Sequence, residues 1–216
     1  MLSQRYKMSS KVSLSTEAEH NIVRIIACQV FKPALEHLGL EDTCSYIRLT
    51  YLPPNLHLKL RELGKYLRRE IVAAERRNER TICLYGDCFP GISEYCQRHG
   101  ACRVPGPYCW EMFLGSERFN QILDEDAGTY FLEKELICNF KEYCVEPLEL
   151  YEEEMREQCF KYYHRLLYVR QPSDPDLEAK ANEIAEFLGL SLEIQDADYS
   201  HLEERLSKLL QPRFAP

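Results

Sequence analysis

Several features that would point to a common activity are missing from this chain. No stretch approaches the roughly 18 consecutive apolar residues of a membrane span, which argues against an integral membrane protein. The first residues, MLSQRYKMSSKVSLSTEAEH, hold basic and Ser/Thr residues but no apolar centre. They read as a short disordered leader over residues 1–20 rather than a secretory signal, so the cytoplasm is the expected location. An excess of positive charge is also absent: the net charge is −8. A nucleic-acid partner, which needs clustered Lys and Arg, is therefore not expected. The basic run Arg68, Arg69, Arg76, Arg77 and Arg80 is interleaved with Glu70, Glu75 and Glu79 and reads as a solvated helix face. There is no Gly-x-Gly-x-x-Gly and no Gly-Lys-Ser/Thr, so neither dinucleotide nor triphosphate binding is supported. No C-x-x-C pair, internal repeat or low-complexity tract occurs.

What the chain does have is cysteine, ten residues among 216. Without an export signal these are expected to stay reduced rather than form a disulfide framework. Cys83 alternates within the apolar run Thr81 to Leu84 and reads as core. Cys44, Cys96, Cys102, Cys144 and Cys159 read in the same way, as small buried hydrophobes. The informative thiols are those at strand ends.

Apolar β-branched runs alternate with helical segments along most of the chain. Asn21 to Phe31 reads as a strand, with Cys28 near its end and Lys32-Pro33 opening a helix. Ser45 to Leu52 alternates as a second strand, closed by Pro53-Pro54, and His57 is expected in the first turn of a long helix to about Arg77. Arg80 to Tyr85 is a third strand, followed by the loop Gly86 to Gly91 and a helix from Ile92 to His99. Ala101 to Val104 is a short fourth strand. The turn Pro105-Gly106-Pro107 then leads into a helix from Tyr108 and Cys109 to about Asp126. Thr129 to Leu132 precedes a helix ending near Tyr143, and Leu148 to His164 reads as one Glu-rich helix. Leu166 to Val169 and Ser191 to Gln195 are further strands, each followed by a helix, Asp176 to Leu188 and Tyr199 to Leu210. This alternation predicts a single α/β domain over 21–210, with a mostly parallel, doubly wound, Rossmann-like sheet and a tail over 211–216.

Cys28, His57, Cys88 and Cys109 follow one another at intervals of 29, 31 and 21 residues. A strand with its crossover helix takes roughly 30 residues, so donors spaced one per unit would gather along one edge of a parallel sheet. The carboxyl edge of such a sheet is where ligands bind. Three thiolates and an imidazole suit tetrahedral zinc, and an iron–sulfur cluster with one His ligand is also compatible. In the loop YGDC, Gly86 allows a sharp exit from the strand, and Asp87 can cap a helix or orient an imidazole. Cys88 lies near a helix N-terminus, where thiolate is favoured. Arg103, at a strand end, can pair with Asp87 or with an anionic ligand. A different reading makes Cys88 a metal-free nucleophile with His57 as base and Asp87 orienting it. A third makes the protein a non-catalytic module whose acidic segment from Leu148 docks a partner.

IACQVF, LPPNLH, YGDCFPG, RVPGPYCWEMFLGSERF, GTYFL and YYHRLLYVRQ, in that order, resemble the bacterial and methanogen family called domain of unknown function 1638. The resemblance runs from about Ile25 to about Asp198. It implies an α/β protein of unassigned activity. Some members resemble products encoded beside corrinoid-dependent methyltransferases, so methyl transfer or corrinoid handling is implied. Possible partners would then be a small-molecule ligand, a corrinoid protein or a methyltransferase. The family motif has Cys at the positions of Cys28, Cys88 and Cys109 and His at that of His57. This chain departs from it with Phe89 to Ile92 in place of Gly-Thr-Gly-Gly, and with Tyr108 in place of His. Relatives' Thr-Asp-Phe-Leu and Arg-His-Phe read Glu133 to Leu136 and Cys138 to Phe140 here, so Cys138 is either a substitute ligand or an extra buried thiol.

The expectation is a metal site of Cys28, His57, Cys88 and Cys109 holding zinc or an iron–sulfur cluster, with a corrinoid as the alternative cofactor. Asp87 and Arg103 would form its outer ring, with Gly86 and Tyr108 beside the ligand.

Overall fold

A computed structural model describes residues 22–211. The expected leader lies outside the described residues, as does the expected tail apart from Gln211. All the strand pairing is parallel, as the alternation of strands and helices requires. Among the described residues, seven strands divide into two sheets rather than extending one. The first contains β1 (Val23–Cys28), β2 (Ile47–Leu52), β3 (Arg80–Leu84) and β4 (Ala101–Arg103), in the order β2-β1-β3-β4. The second contains β5 (Thr129–Leu132), β6 (Arg165–Arg170) and β7 (Ser191–Asp196), in chain order. The result is an α/β, Rossmann-like architecture.

The helices in chain order are α1 (Lys32–His37), α2 (Leu40–Thr43), α3 (Leu60–Arg76), α4 (Ile92–Arg98) and α5 (Cys109–Leu114). They continue with α6 (Ser116–Glu125), α7 (Lys134–Cys138), α8 (Glu153–Phe160), α9 (Glu178–Leu188) and α10 (Ser200–Leu210). In α3 the side chains of Leu63, Leu67, Ile71 and Ala74 are buried, a spacing that makes one helical face apolar. β1 is covered on both sides: Ile25, Ile26 and Ala27 are fully buried, as expected for a central parallel strand.

The second sheet is shared between two cores. Phe131, Leu167 and Val169 join the core of the first sheet, together with Phe113 and Phe119 from α5 and α6. Leu132, Leu166 and Tyr168, one position out of phase, face a smaller core built with Ile137, Ala181, Ile184 and Leu188. Side chains of adjacent strand residues point to opposite faces, so one short strand serves both cores.

Several expected helices are interrupted. His57 lies in a 3₁₀ turn, Pro54–Leu58, ahead of α3 rather than in its first turn. The helix expected from Cys109 to Asp126 breaks at Gly115, whose φ of 78° is left-handed. A Cβ there would come within 2.6 Å of the His201 ring, so glycine also admits α10 at this point. The helix expected over Leu148 to His164 is only Glu153–Phe160, and the one after β5 closes early into a wide π turn, Lys141–Val145. In each case tertiary packing overrides a continuous local propensity.

Phe131 stacks on Trp110 (5.4 Å between ring centres) and lies 5.1 Å from Phe119, so it binds the second sheet to α5 and α6. Phe131→Ala is expected to cost about 3–5 kcal/mol in urea-unfolding free energy, the range for a buried aromatic. A loss below about 1 kcal/mol would show that the two cores do not depend on this contact.

Candidate functional site

Each strand of the first sheet delivers one of the four sequence-selected side chains at its carboxyl end. Cys28 is the last residue of β1, and His57 follows β2 on the 3₁₀ turn. Cys88 sits on the loop between β3 and α4, and Cys109 opens α5 after β4 and the Pro-Gly-Pro turn. The strand order makes β1 and β3 the pair at which the chain reverses its direction of travel across the sheet. Such a switch point opens a crevice at the carboxyl edge. Cys28 and Cys88 stand on its two sides.

Cys28 Sγ lies 3.4 Å from His57 Nε2, the direct contact within this set. The three sulfurs influence one another. Burial pushes the Cys28 thiol up to about 12, with the charge of Cys88 adding to burial and the Val30 N–H opposing it. Burial likewise holds Cys109 well above a free thiol, and Glu133, Cys28 and Cys88 add to the effect. Cys88 is raised by burial to about 11, against the pull of the Gly86 N–H and of Arg103. The expected thiolate preference at Cys88 is therefore corrected: the stabilising dipoles and charge are present, but desolvation is larger. Burial lowers His57 and favours its neutral imidazole.

Two constraints hold the Cys88 and Cys109 loops together. A Cβ on Gly86 would lie 2.5 Å from the Pro107 carbonyl oxygen, so glycine permits the two loops to touch. The Asp87 N–H donates to that same oxygen at 2.7 Å. Gly86 is thus required for close approach, and its φ is not positive. Arg103 donates to the Tyr85 and Gly106 carbonyls at 3.0 Å each and pairs with Asp87 at 3.2 Å. The pairing with Asp87 is one of the two that the sequence leaves open to Arg103. Behind the turn, Arg205 donates to the Pro105 carbonyl and forms an ion pair with buried Glu111, fixing the start of α5 from α10. An open cleft of about 580 Å³ borders Cys88, with Leu60, Asp87, Phe89, Glu94 and Arg103 in its wall. Tyr108, just ahead of Cys109, is half exposed and packs toward Trp110 and Phe119.

Sequence reasoning missed Glu133 as a site residue. It stands at the carboxyl end of β5 in the second sheet, 5 % exposed, and caps α7 by accepting from the Glu135 and Leu136 N–H groups. Burial raises it to about 7 despite those two bonds. An acidic residue between a buried strand and a helix start was the available signal, although capping by Glu is less common than by Asp. Buried Tyr85 was also missed; its hydroxyl has no hydrogen-bond partner among the described residues, and burial raises it, with Cys28 and Cys88 adding to the effect. Cys138 is exposed and so is not the extra buried thiol, and Cys159 is exposed as well. Among the described residues no three His, Cys, Asp or Glu groups stand close enough to grip an ion together.

These features define an all-parallel, two-sheet α/β protein with one buried and two half-buried thiols along one carboxyl edge. The chain belongs to the family described as a protein of unknown function (DUF1638), which matches residues 51–206. His57, Cys88, Cys109 and Glu133 fall inside that span, and Cys28 precedes it. No curated protein and no solved structure matches the chain. Among the described residues, no helix is long and apolar enough to cross a membrane.

Because Glu133 titrates near 7 in the folded chain against an ordinary 4.5, the native state holds a proton that the unfolded state has released between those values. Stability is expected to fall as pH rises through that window, by about 3 kcal/mol in all. Glu133→Gln should flatten this part of the profile in urea unfolding at about pH 5 and about pH 8. An unchanged slope in the variant would assign the pH dependence to another group.

Proposed function

We propose that Cys28, His57, Cys88 and Cys109 hold one soft metal centre, zinc or an iron–sulfur cluster, serving corrinoid-linked methyl transfer. The supporting observation is placement: each strand of the first sheet ends at one donor, with Cys28 and His57 in contact at 3.4 Å. Three sulfurs and one imidazole make a legal tetrahedral set. A neutral His57 is in the form that ligates. Cys88 stands on a loop and Cys109 at the first residue of α5, neither inside a strand, and they would close on a metal by adjustment of the segments that lead to them. Asp87 and Arg103, paired beside Cys88, would steady that loop. When bound, the metal would keep sulfur deprotonated at neutral pH, the state in which a thiolate takes up a methyl group.

The metal-free cysteine enzyme is less well supported. It needs Cys88 as thiolate, yet that thiol is raised to about 11. It needs His57 and Asp87 around Cys88, yet His57 contacts Cys28 and Asp87 pairs with Arg103. A corrinoid held directly at this edge is the alternative cofactor, and the open cleft beside Cys88 would be its approach. The partners of this reading are a small-molecule or cofactor ligand and a corrinoid protein or methyltransferase, all in the cytoplasm.

Metal analysis and a visible absorption spectrum of protein purified without oxygen test the reading. About one equivalent of zinc or of a cluster is expected per chain. Cys88→Ser and Cys109→Ser should each lose it, and Cys159→Ser, at an exposed position on α8, should keep it. Retention of metal by both loop variants would refute the site. Metal-free protein alkylated at Cys88 by one equivalent of reagent would favour the nucleophile instead.

A further inference from the structure

Two exposed surfaces of opposite charge lie outside the thiol edge. The core side of α3 is Leu63, Leu67, Ile71 and Ala74. At about 100° of turn per residue, the opposite side holds Arg61, Lys65, Arg68, Arg69 and Arg76, all exposed. The glutamates that alternate with these cations along the chain do not sit among them. Glu62 and Glu75 stand at the margins of the face, and Glu70 lies half-buried beside the core side. Glu79, beyond the helix end, holds Arg24 and Arg77. Arg69 pairs with Glu70 and covers the Tyr66 ring, while Arg61, Lys65, Arg68 and Arg76 form no ion pair among the described residues. Between the cations runs an open groove of about 340 Å³. Lys65, Arg68, Arg69 and Arg76 are its walls, and half-buried Val72 and Ala73 are its floor.

A matching surface is present on the same chain. Glu149, Glu152, Glu153, Glu154 and Glu157, around the start of α8, are exposed and form no ion pair among the described residues. Leu148 and Tyr151 protrude among them, 44 % and 61 % exposed. An exposed aromatic flanked by carboxylates complements a groove with an apolar floor and cationic walls. The ring would cover Val72 and Ala73 with guanidinium groups at its face, and the carboxylates would reach the walls. A bare polyanion is a poorer match, because phosphates leave that floor uncovered and the net charge of −8 repels them at long range. α3 is built on β1 and β3 of the first sheet, whereas α8 is anchored by Phe160 in the core of the second. Both surfaces remain exposed, so each is open to another copy of the chain.

We propose that the α3 groove of one copy receives the acidic segment 148–157 of a second copy, with Tyr151 seated on Val72 and Ala73. The two surfaces differ, so the contact is head-to-tail and repeats from copy to copy in a row or a closed ring. It depends on charge and is weakened by salt. It requires no metal.

Sedimentation velocity of the full chain over a concentration series tests this. Reversible association is expected at about 20 mM salt, and association about tenfold weaker or more at about 300 mM. The double variant Arg68→Glu, Arg76→Glu should be monomeric, as should Glu153→Lys, Glu157→Lys, each with circular dichroism unchanged. An equimolar mixture of the two should associate again, because each presents a face that the other matches. Tyr151→Ala, which alters no charge, should weaken association of the parent about tenfold. A parent that stays monomeric at low salt, association indifferent to salt, or a mixture of the two folded variants that stays monomeric would overturn the proposal. Binding of a single-stranded oligonucleotide by the parent without self-association would assign the face to nucleic acid instead.

Discussion

Parallel pairing of β1 with both β2 and β3 is the constraint from which the rest of the site follows. Parallel neighbours point their carboxyl ends the same way, and each connection must cross back over a sheet face before the next strand begins. The chain therefore returns to the same edge once per unit, and the residue just past each strand lands beside its counterparts. β1 is enclosed on both faces, and Cys28 at its end inherits that burial. Its thiol cannot ionise readily for the same reason that it is well placed.

Burial and charge compete throughout this edge. The Cys88 loop offers backbone N–H groups and the Arg103 guanidinium, both of which favour thiolate, yet desolvation is larger. Arg103 spends most of its donors on the Tyr85 and Gly106 carbonyls and on Asp87. It acts chiefly as a brace between β3, β4 and the Pro-Gly-Pro turn. Glu133 adds a negative group from the opposite sheet, which raises the cost of ionising Cys28 and Cys109 further. Burial favours the uncharged thiols here, and the positive charge of a bound metal would favour the ionised ones.

The four-donor placement was legible because it depends on a length rule. One strand and one crossover occupy nearly constant numbers of residues, so spacing alone places Cys28, His57, Cys88 and Cys109 at strand ends. Glu133 was not legible in that way. It comes from the fifth strand, in a different sheet, and nothing in local pattern states which edge of that sheet faces the thiols. Helix continuity was overestimated at Gly115 and over Leu148 to His164. Periodicity records which faces are apolar, whereas the breaks arise from the approach of His201 and from packing around the π turn.

The amino-acid sequence alone determined the α/β class, the parallel alternation, the family membership and the candidate donors. Each of these depends on local periodicity, on turn residues or on a near-constant unit length. The division into two sheets, the close approach of Pro107 to Gly86, the pairing of Arg103 with Asp87 and the arrival of Glu133 opposite the thiols were decided by tertiary structure. They depend on how separate layers share a core, and that is a property of contacts between residues distant in the chain.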